Sequence, residues 1–275
     1  MLASIDQIHL RDQVSELIQE VSNTLIMPRF RSLRDDDIST KSAPNDIVTI
    51  ADIEAEAWLA PRLLDLLPGS AVVGEEAVSR GEASTDLMAS NDLVWTLDPV
   101  DGTLNFAKGN EDFCCMVALC HQQSVLAAWI YFPTSRKLFW ASQGNGTWRK
   151  CVGKEYEQIK TSKVNSTAAI TNRFFSRPDL KEKREHILDE LSPTQKTQCA
   201  GHDYCRAALG TYAFVAMAKL MPWDHAPGTL LVKEAGGQVW LNKSTYCPTV
   251  LSGTLISGSD LKRMELAAAL LGSES

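Results

Sequence analysis

The sequence predicts an α+β protein built in layers, with helices packed against mostly antiparallel sheet. Three observations predict it. Apolar runs crowd between Phe113 and Trp148 ("CCMVALC", "SVLAAWIYF", "KLFWAS"), parted only by "HQQ" and "PTSR", as strands joined by tight turns require. The rest of the chain alternates helical patterns with short strands, which fits layers better than a regular βαβ wind. Finally, 275 residues at 44% hydrophobic content are enough to bury one large core or two intimately packed ones.

Residues 5 to 30 place Ile5, Ile8, Val14, Leu17, Ile18, Val21 and Leu25 at helical spacing and read as an amphipathic helix. "KSAPNDIVT" reads as a turn or loop. "ADIEAEAWLAPRLLDLLPG" is a second helix, with Pro61 as a kink and Pro68-Gly69 as its stop. "SAVVGEE" and "DLVWTLD" are short buried strands that end in acids. After the antiparallel block, "STAAITNRF" is a strand and "RPDLKEKREHILDELS" a helix with a charged face, whose "KEKR" stretch is solvated. "TYAFVAMAK" is a strand, and "HAPGTLLVKEAGG" a helix closed by Gly236 and Gly237. "GQVWLN" and "GTLISG" are strands, and "SDLKRMELAAALLG" closes the chain as a helix. Trp95, Trp129, Trp140 and Trp240 sit in apolar strands and belong to the core. No repeat or long linker interrupts the pattern. The chain turns polar near "CVGKEYEQIKTSKVNS", which divides one compact unit into residues 1–155 and residues 156–275.

A net charge of −7 and a pI near 5.3 argue against a nucleic-acid partner or an anionic membrane surface. An anionic substrate is still compatible if bound cations reverse the local sign. The seven cysteines lack CxxC spacing and lie largely in apolar runs, so they read as buried free thiols. With no signal pattern and no membrane-length apolar run, the expectation is a soluble cytoplasmic protein.

The chemistry concentrates in "LDPVDGTLNF". An isolated DPxD is a turn signal. Here, however, Glu75 and Glu76 also end a strand, and Asp224 heads the helix that closes at Gly236. If these edges converge, several carboxylates share a small volume and require a cation. Oxygen donors select Mg2+, Mn2+ or Ca2+. If a helix starts at Gly102-Thr103, the N–H groups of Gly102, Thr103 and Leu104 can hold a phosphate. Metal acids beside phosphate donors suit metal-assisted phosphoryl transfer.

These motifs resemble the inositol monophosphatase superfamily, which also contains fructose-1,6-bisphosphatases and bisphosphate nucleotidases. The resemblance rests on "GEE" at 74–76, "DPVDGT" at 98–103, "WDHAPGTLLVKEAGG" at 223–237 and the approach "KSAPNDIVTIAD". It implies an α-β-α-β-α layered sandwich of the sugar-phosphatase type, usually a homodimer, with Mg2+ as cofactor (two or three ions, Mn2+ as a substitute) and inhibition by Li+. It further implies that Glu75, Asp98 and the carbonyl of Val100 hold one metal, that Asp98, Asp101 and Asp224 hold a second, and that a third leans on Glu75. Asp52 and Thr103 become the pair that activates water, with Glu75 beside them, and Glu76 is either a ligand or an outer acceptor. The substrate, a small phosphorylated metabolite, would meet Asp101, Gly102, Thr103, Leu104, Gly201, His202, Asp203 and Asp224.

The sequence departs from the family at Met217, where the inositol-specific enzymes carry a glutamate that contacts substrate hydroxyls, and at His225 and Pro227. Pro227 is expected in the first helical turn, His225 in a structural role, and Asp203 as the N-cap of a helix. The expected function is hydrolysis of a small phosphate monoester. Alternatives are bisphosphate nucleotidase, fructose-1,6-bisphosphatase or histidinol-phosphatase activity. An inactive regulatory member would have lost a metal acid or Thr103, and none is lost.

Overall fold

A computed structural model describes residues 7–41, 46–90, 92–161, 167–191 and 198–272. The chain opens with α1 (Gln7–Val21), which passes into a π-turn and a 3-10 turn through Arg29. Ile5 of the expected helix lies outside the described residues. A small ribbon follows, β1 (Ile38–Thr40) antiparallel to β2 (Ile47–Thr49). The loop expected over "KSAPNDIVT" therefore ends in a strand, while residues 42–45 lie outside the description. Next come α2 (Ile50–Leu66), β3 (Ala71–Gly74), α3 (Glu75–Ser79), α4 (Leu87–Ser90), β4 (Leu93–Asp101) and α5 (Thr103–Ala107).

The antiparallel block comprises β5 (Cys114–His121), β6 (Ser124–Phe132), β7 (Lys137–Ser142), β8 (Thr147–Lys150) and β9 (Glu157–Ile159). With β3 and β4 it forms a seven-stranded sheet in chain order, parallel only between β3 and β4. The division expected at 155/156 falls just ahead of β9, which belongs to this sheet.

The second half holds β10 (Ala169–Ile170), α6 (Pro178–Lys181), α7 (Arg184–Leu191), α8 (Ala200–Ala208), β11 (Phe214–Lys219) and α9 (Pro222–Glu234). It ends with β12 (Gln238–Leu241), β13 (Ser244–Thr245), β14 (Ser252–Gly258) and α10 (Leu261–Leu271). The strands form a five-stranded sheet ordered β10-β11-β14-β12-β13. Two expectations were too long. "STAAITNRF" is a strand only at Ala169–Ile170 and then a 3-10 turn, and "RPDLKEKREHILDELS" breaks into α6 and α7 at an exposed Lys181–Arg184.

The layers follow from the two-residue period of a strand. In β5, Cys115, Val117 and Leu119 face α1 and α2, together with Trp95 and Trp129. Their neighbours Cys114, Met116 and Ala118 face the opposite way, onto α8 and α9. Those helices pack in turn on the five-stranded sheet through Val215, Met217 and Leu255. The far face of that sheet, Phe214, Ala216 and Ile256, is covered by α7 and α10. The result is the expected α-β-α-β-α sandwich. A central strand buried on both faces is apolar at every position, which is why these runs read as unbroken. Among the described residues no helix is long and apolar enough to cross a membrane.

Candidate active site

Strand register assembles the acids. β3 and β4 run parallel with Gly74 opposite Leu97, so the residues that follow, Glu75 at the start of α3 and Asp98 still within β4, stand side by side. In β4 the pairing with β5 shifts between Asp98 and Asp101, which face Met116 and Cys114 respectively. That bulge re-aims the strand end. α9 contributes Asp224 from its first turn, where the helix dipole favours an anion. One carboxylate oxygen each from Glu75, Asp98 and Asp224 lies within 4.8 Å of the others. Three hard oxygens at that spacing suit a divalent cation such as Mg2+, Mn2+ or Ca2+.

The acids open into a cleft of about 360 Å³, also lined by Asp46, Ile47, Asp101, Gly102, Thr103, Leu104, Asn172 and Gln198. Gly102 sits at φ +89°, and a Cβ there would come within 2.8 Å of the Asp112 carbonyl, so only glycine allows this turn into α5.

Asp52 has two tasks. Its Oδ2 accepts the backbone N–H of Thr49 at 2.9 Å and the Thr49 hydroxyl, a capping box that starts α2. Its Oδ1 lies 3.0 Å from Thr103 Oγ1, which is also 3.0 Å from the Val100 carbonyl. The Val100 N–H donates to Asp98 at 3.0 Å.

Asp101 lines the cleft, but its Oδ2 is turned inward. It accepts the Gly201 N–H at 2.7 Å and the Cys199 thiol at 3.0 Å, with the Cys114 thiol at 3.5 Å. Burial pushes the Cys199 thiol up to about 12.

Motif reading missed four residues. Lys41 Nζ bridges Glu75 at 2.8 Å and Glu76 at 2.6 Å, so Glu76 faces a lysine. Glu56 accepts the N–H groups of Glu76 at 2.8 Å and Ala77 at 2.6 Å, fixing the start of α3. Asn172 and Gln198 reach the cleft from the second half. Lys41 was visible in "KSAPNDIVTIAD", whereas Glu56, Asn172 and Gln198 carry no local signal.

Other expected contacts lie elsewhere. Gly201, His202 and Asp203 are inside α8, which begins at Ala200, so Asp203 is no N-cap. Asp203 is buried, and the His202 ring packs 4.3 Å from Phe132 with Nε2 3.5 Å from Asp112. None of the three is among the residues lining the cleft. Met217 is 6% exposed in the core between the sheets, and it is not among the lining residues either. Pro227 is the sixth residue of α9, one turn later than expected. His225 is structural. Its Nε2 must donate to the Lys219 carbonyl at 2.6 Å, which leaves Nδ1 to accept the Tyr204 hydroxyl at 2.9 Å.

Burial raises Asp52 to about 7 against the Thr49 hydrogen bonds, and raises Glu56 to about 7 against two backbone N–H groups. Burial, then the charges of Glu75 and Asp101, pushes Asp98 and Asp224 well up. A carboxyl raised by folding favours the folded state at low pH and opposes it as pH climbs through the folded value. His202 and His225, held by burial near 4 instead of 6.5, act oppositely but only below about 6.5. Between pH 6.5 and 8 the acids act alone. The chelated protein is therefore expected to melt at a lower temperature at pH 8 than at pH 6.5, and Mg2+ to restore more stability at the higher pH. Melting curves with and without chelator test this, and a rise in the chelated melting temperature with pH would contradict it.

Residues 8–274 match the sequence profile of the inositol monophosphatase family. The inositol-1-monophosphatase of Bacillus subtilis (strain 168) is 27% identical over 243 residues, which cover 86% of this chain and 83% of that one. Inositol monophosphatase II from Staphylococcus aureus MSSA476 superposes with a TM-score of 0.76 at 23% identity, covering 96% of this chain and 93% of that one. An IMPase/NADP phosphatase complexed with NADP and Ca2+ superposes with a TM-score of 0.77 at 19% identity, covering 97% and 96%. At these identities the two structures show a shared fold.

Proposed function

Because the chain belongs to the inositol monophosphatase family, whose members are phosphoric monoester hydrolases, we propose that its acidic cleft hydrolyses a small phosphate monoester with Mg2+ as cofactor. The observation that carries this reading is the convergence of Glu75, Asp98 and Asp224 beside the Thr103–Asp52 pair in one cleft. The donor set fits a hard divalent cation, and the Ca2+ bound in a structural neighbour agrees with that chemistry. Glu75, Asp98 and Asp224 would hold the ion, with Asp101 and the Val100 carbonyl as further ligands. Bound there, it would supply positive charge for the phosphoryl oxygens and acidify water.

The chain's own groups do the rest. Asp52, held by Thr49, keeps Oδ1 aimed at Thr103 and so orients that hydroxyl. The Thr103 proton goes to Asp52, leaving Oγ1 lone pairs to accept a proton from a water in the cleft. Backbone N–H groups of Gly102, Thr103 and Leu104 face the phosphate. Li+ inhibition belongs to the same reading.

The test is a panel of phosphorylated metabolites, including inositol 1-phosphate, fructose 1,6-bisphosphate, a 3′,5′-bisphosphate nucleotide and histidinol phosphate, assayed for phosphate release with Mg2+ or chelator. Chelator-sensitive release from a monoester supports the reading. Release that persists in chelator would overturn it, and a preference for a bisphosphate would move the assignment to that branch.

A further inference from the structure

We infer that Cys199 and Cys114 are positioning residues, whose thiols hold the inner oxygen of Asp101 so that its other oxygen is presented to the cleft. The inference rests on the reading of Asp101 as a cation ligand and adds the groups that aim it. A carboxylate on a strand end is free to rotate about its last bond, and a metal site needs it held.

The hold on Asp101 centres on Oδ2, and the Ala200 N–H also donates to the carboxylate. Its Oδ2 accepts the Cys199 thiol at 3.0 Å, the Gly201 N–H at 2.7 Å and, more weakly, the Cys114 thiol at 3.5 Å. The two sulfurs are 3.7 Å apart and buried, so water does not replace either donor. The fold makes the cluster deliberately tight. Cys114 stands opposite Asp101 in the β4–β5 ladder, and Cys199 stands at the N-cap of α8. Gly201 closes the arrangement, since a Cβ on it would fall 2.3 Å from the Cys114 sulfur. The absent side chain is what lets the helix N-terminus and the sulfur share one carboxylate oxygen. A hydrogen bond to a charged acceptor is stronger than one between neutral groups, so losing the nearer thiol loosens a carboxylate that the Gly201 N–H then holds without it.

The experiment is calorimetric titration of Mg2+ into metal-free protein, for wild type, Cys199→Ala, Cys199→Ser, Cys114→Ala and Asp101→Asn, with melting curves to confirm folding. Cys199→Ala is expected to weaken Mg2+ binding about tenfold, and Cys199→Ser, which keeps a donor, to recover it to within about threefold. Cys114→Ala should weaken binding less, and it replaces Cys199→Ala as the decisive variant if that one does not fold. Normal Mg2+ affinity in both alanine variants alongside weakened binding in Asp101→Asn would overturn the inference and leave Asp101 a ligand. Equal weakening in Cys199→Ala and Cys199→Ser would also overturn it, since packing rather than donation would then be the cause. Unchanged affinity in Asp101→Asn would remove the ligand reading itself and the inference with it.

Discussion

Asp98→Asn is expected to lower phosphate release by about three orders of magnitude or more, with most of the loss in kcat. Asp98 is 3% exposed, and one of its oxygens lies within 4.8 Å of oxygens of Glu75 and Asp224, the two acids with which it would share a cation. Its Oδ1 already accepts the Val100 N–H at 3.0 Å, so the side chain is fixed and the amide cannot swing away to compensate. Asparagine removes one negative charge from the cluster and offers an N–H where a donor oxygen is needed. The same change relieves repulsion among the buried acids, so the chelated variant should melt higher than chelated wild type while binding Mg2+ more weakly. That opposition separates a lost ligand from a damaged fold. Near-normal turnover in Asp98→Asn would remove the cation site from the mechanism.

Asp52→Asn and Thr103→Ala are expected to lower kcat by about hundredfold to ten-thousandfold while KM changes little. Neither side chain belongs to the acid triad. Their 3.0 Å contact is what gives a weakly acidic hydroxyl a proton acceptor. Thr103→Ser keeps the hydroxyl and should retain most activity. Asp52 also anchors α2 through Thr49, so Asp52→Asn disturbs that capping box as well, which Thr103→Ala leaves intact. If Thr103→Ala kept full kcat, water activation by this pair would have to be abandoned.

The chemistry of the site was legible wherever it is local. Glu75 and Asp224 lie in the first turns of α3 and α9, and Asp98 lies near the bulged end of β4, with turn signals around each of them in the sequence. Groups that meet across the fold were not legible. Lys41 lies 34 residues from Glu75, and Cys199 lies 98 residues from Asp101. No spacing rule links such pairs, because their contact depends on how the layers dock. Gly201 illustrates the same limit. Its place just before a helix, in the region where the family contacts substrate, suggested a substrate contact, whereas its closest constraint in the fold is the Cys114 sulfur on a neighbouring strand. In the fold, two-sided burial made the central strands plain. β2 escaped because three residues carry too little periodicity to declare a strand. The 3-10 turn after β10 escaped because Phe174 and Phe175 prolong its apolar run, and the break between α6 and α7 escaped because Leu180 and Ile187 keep helical spacing across it.

α9 lies between the two sheets and carries Asp224 at its head. This ties catalytic competence to the order in which the chain is made. When a ribosome has released the seven-stranded half, Glu75 and Asp98 have emerged, but Asp224, the acid that completes the triad, has not. Contacts so distant in sequence form late, because the entropy of closing the intervening loop must be met first. Until α9 docks, the nascent half lacks one acid of the triad and the helices that cover Cys114 and Met116. Recovery of cation binding during refolding should therefore coincide with docking of the second sheet, which makes the site a reporter of completed folding.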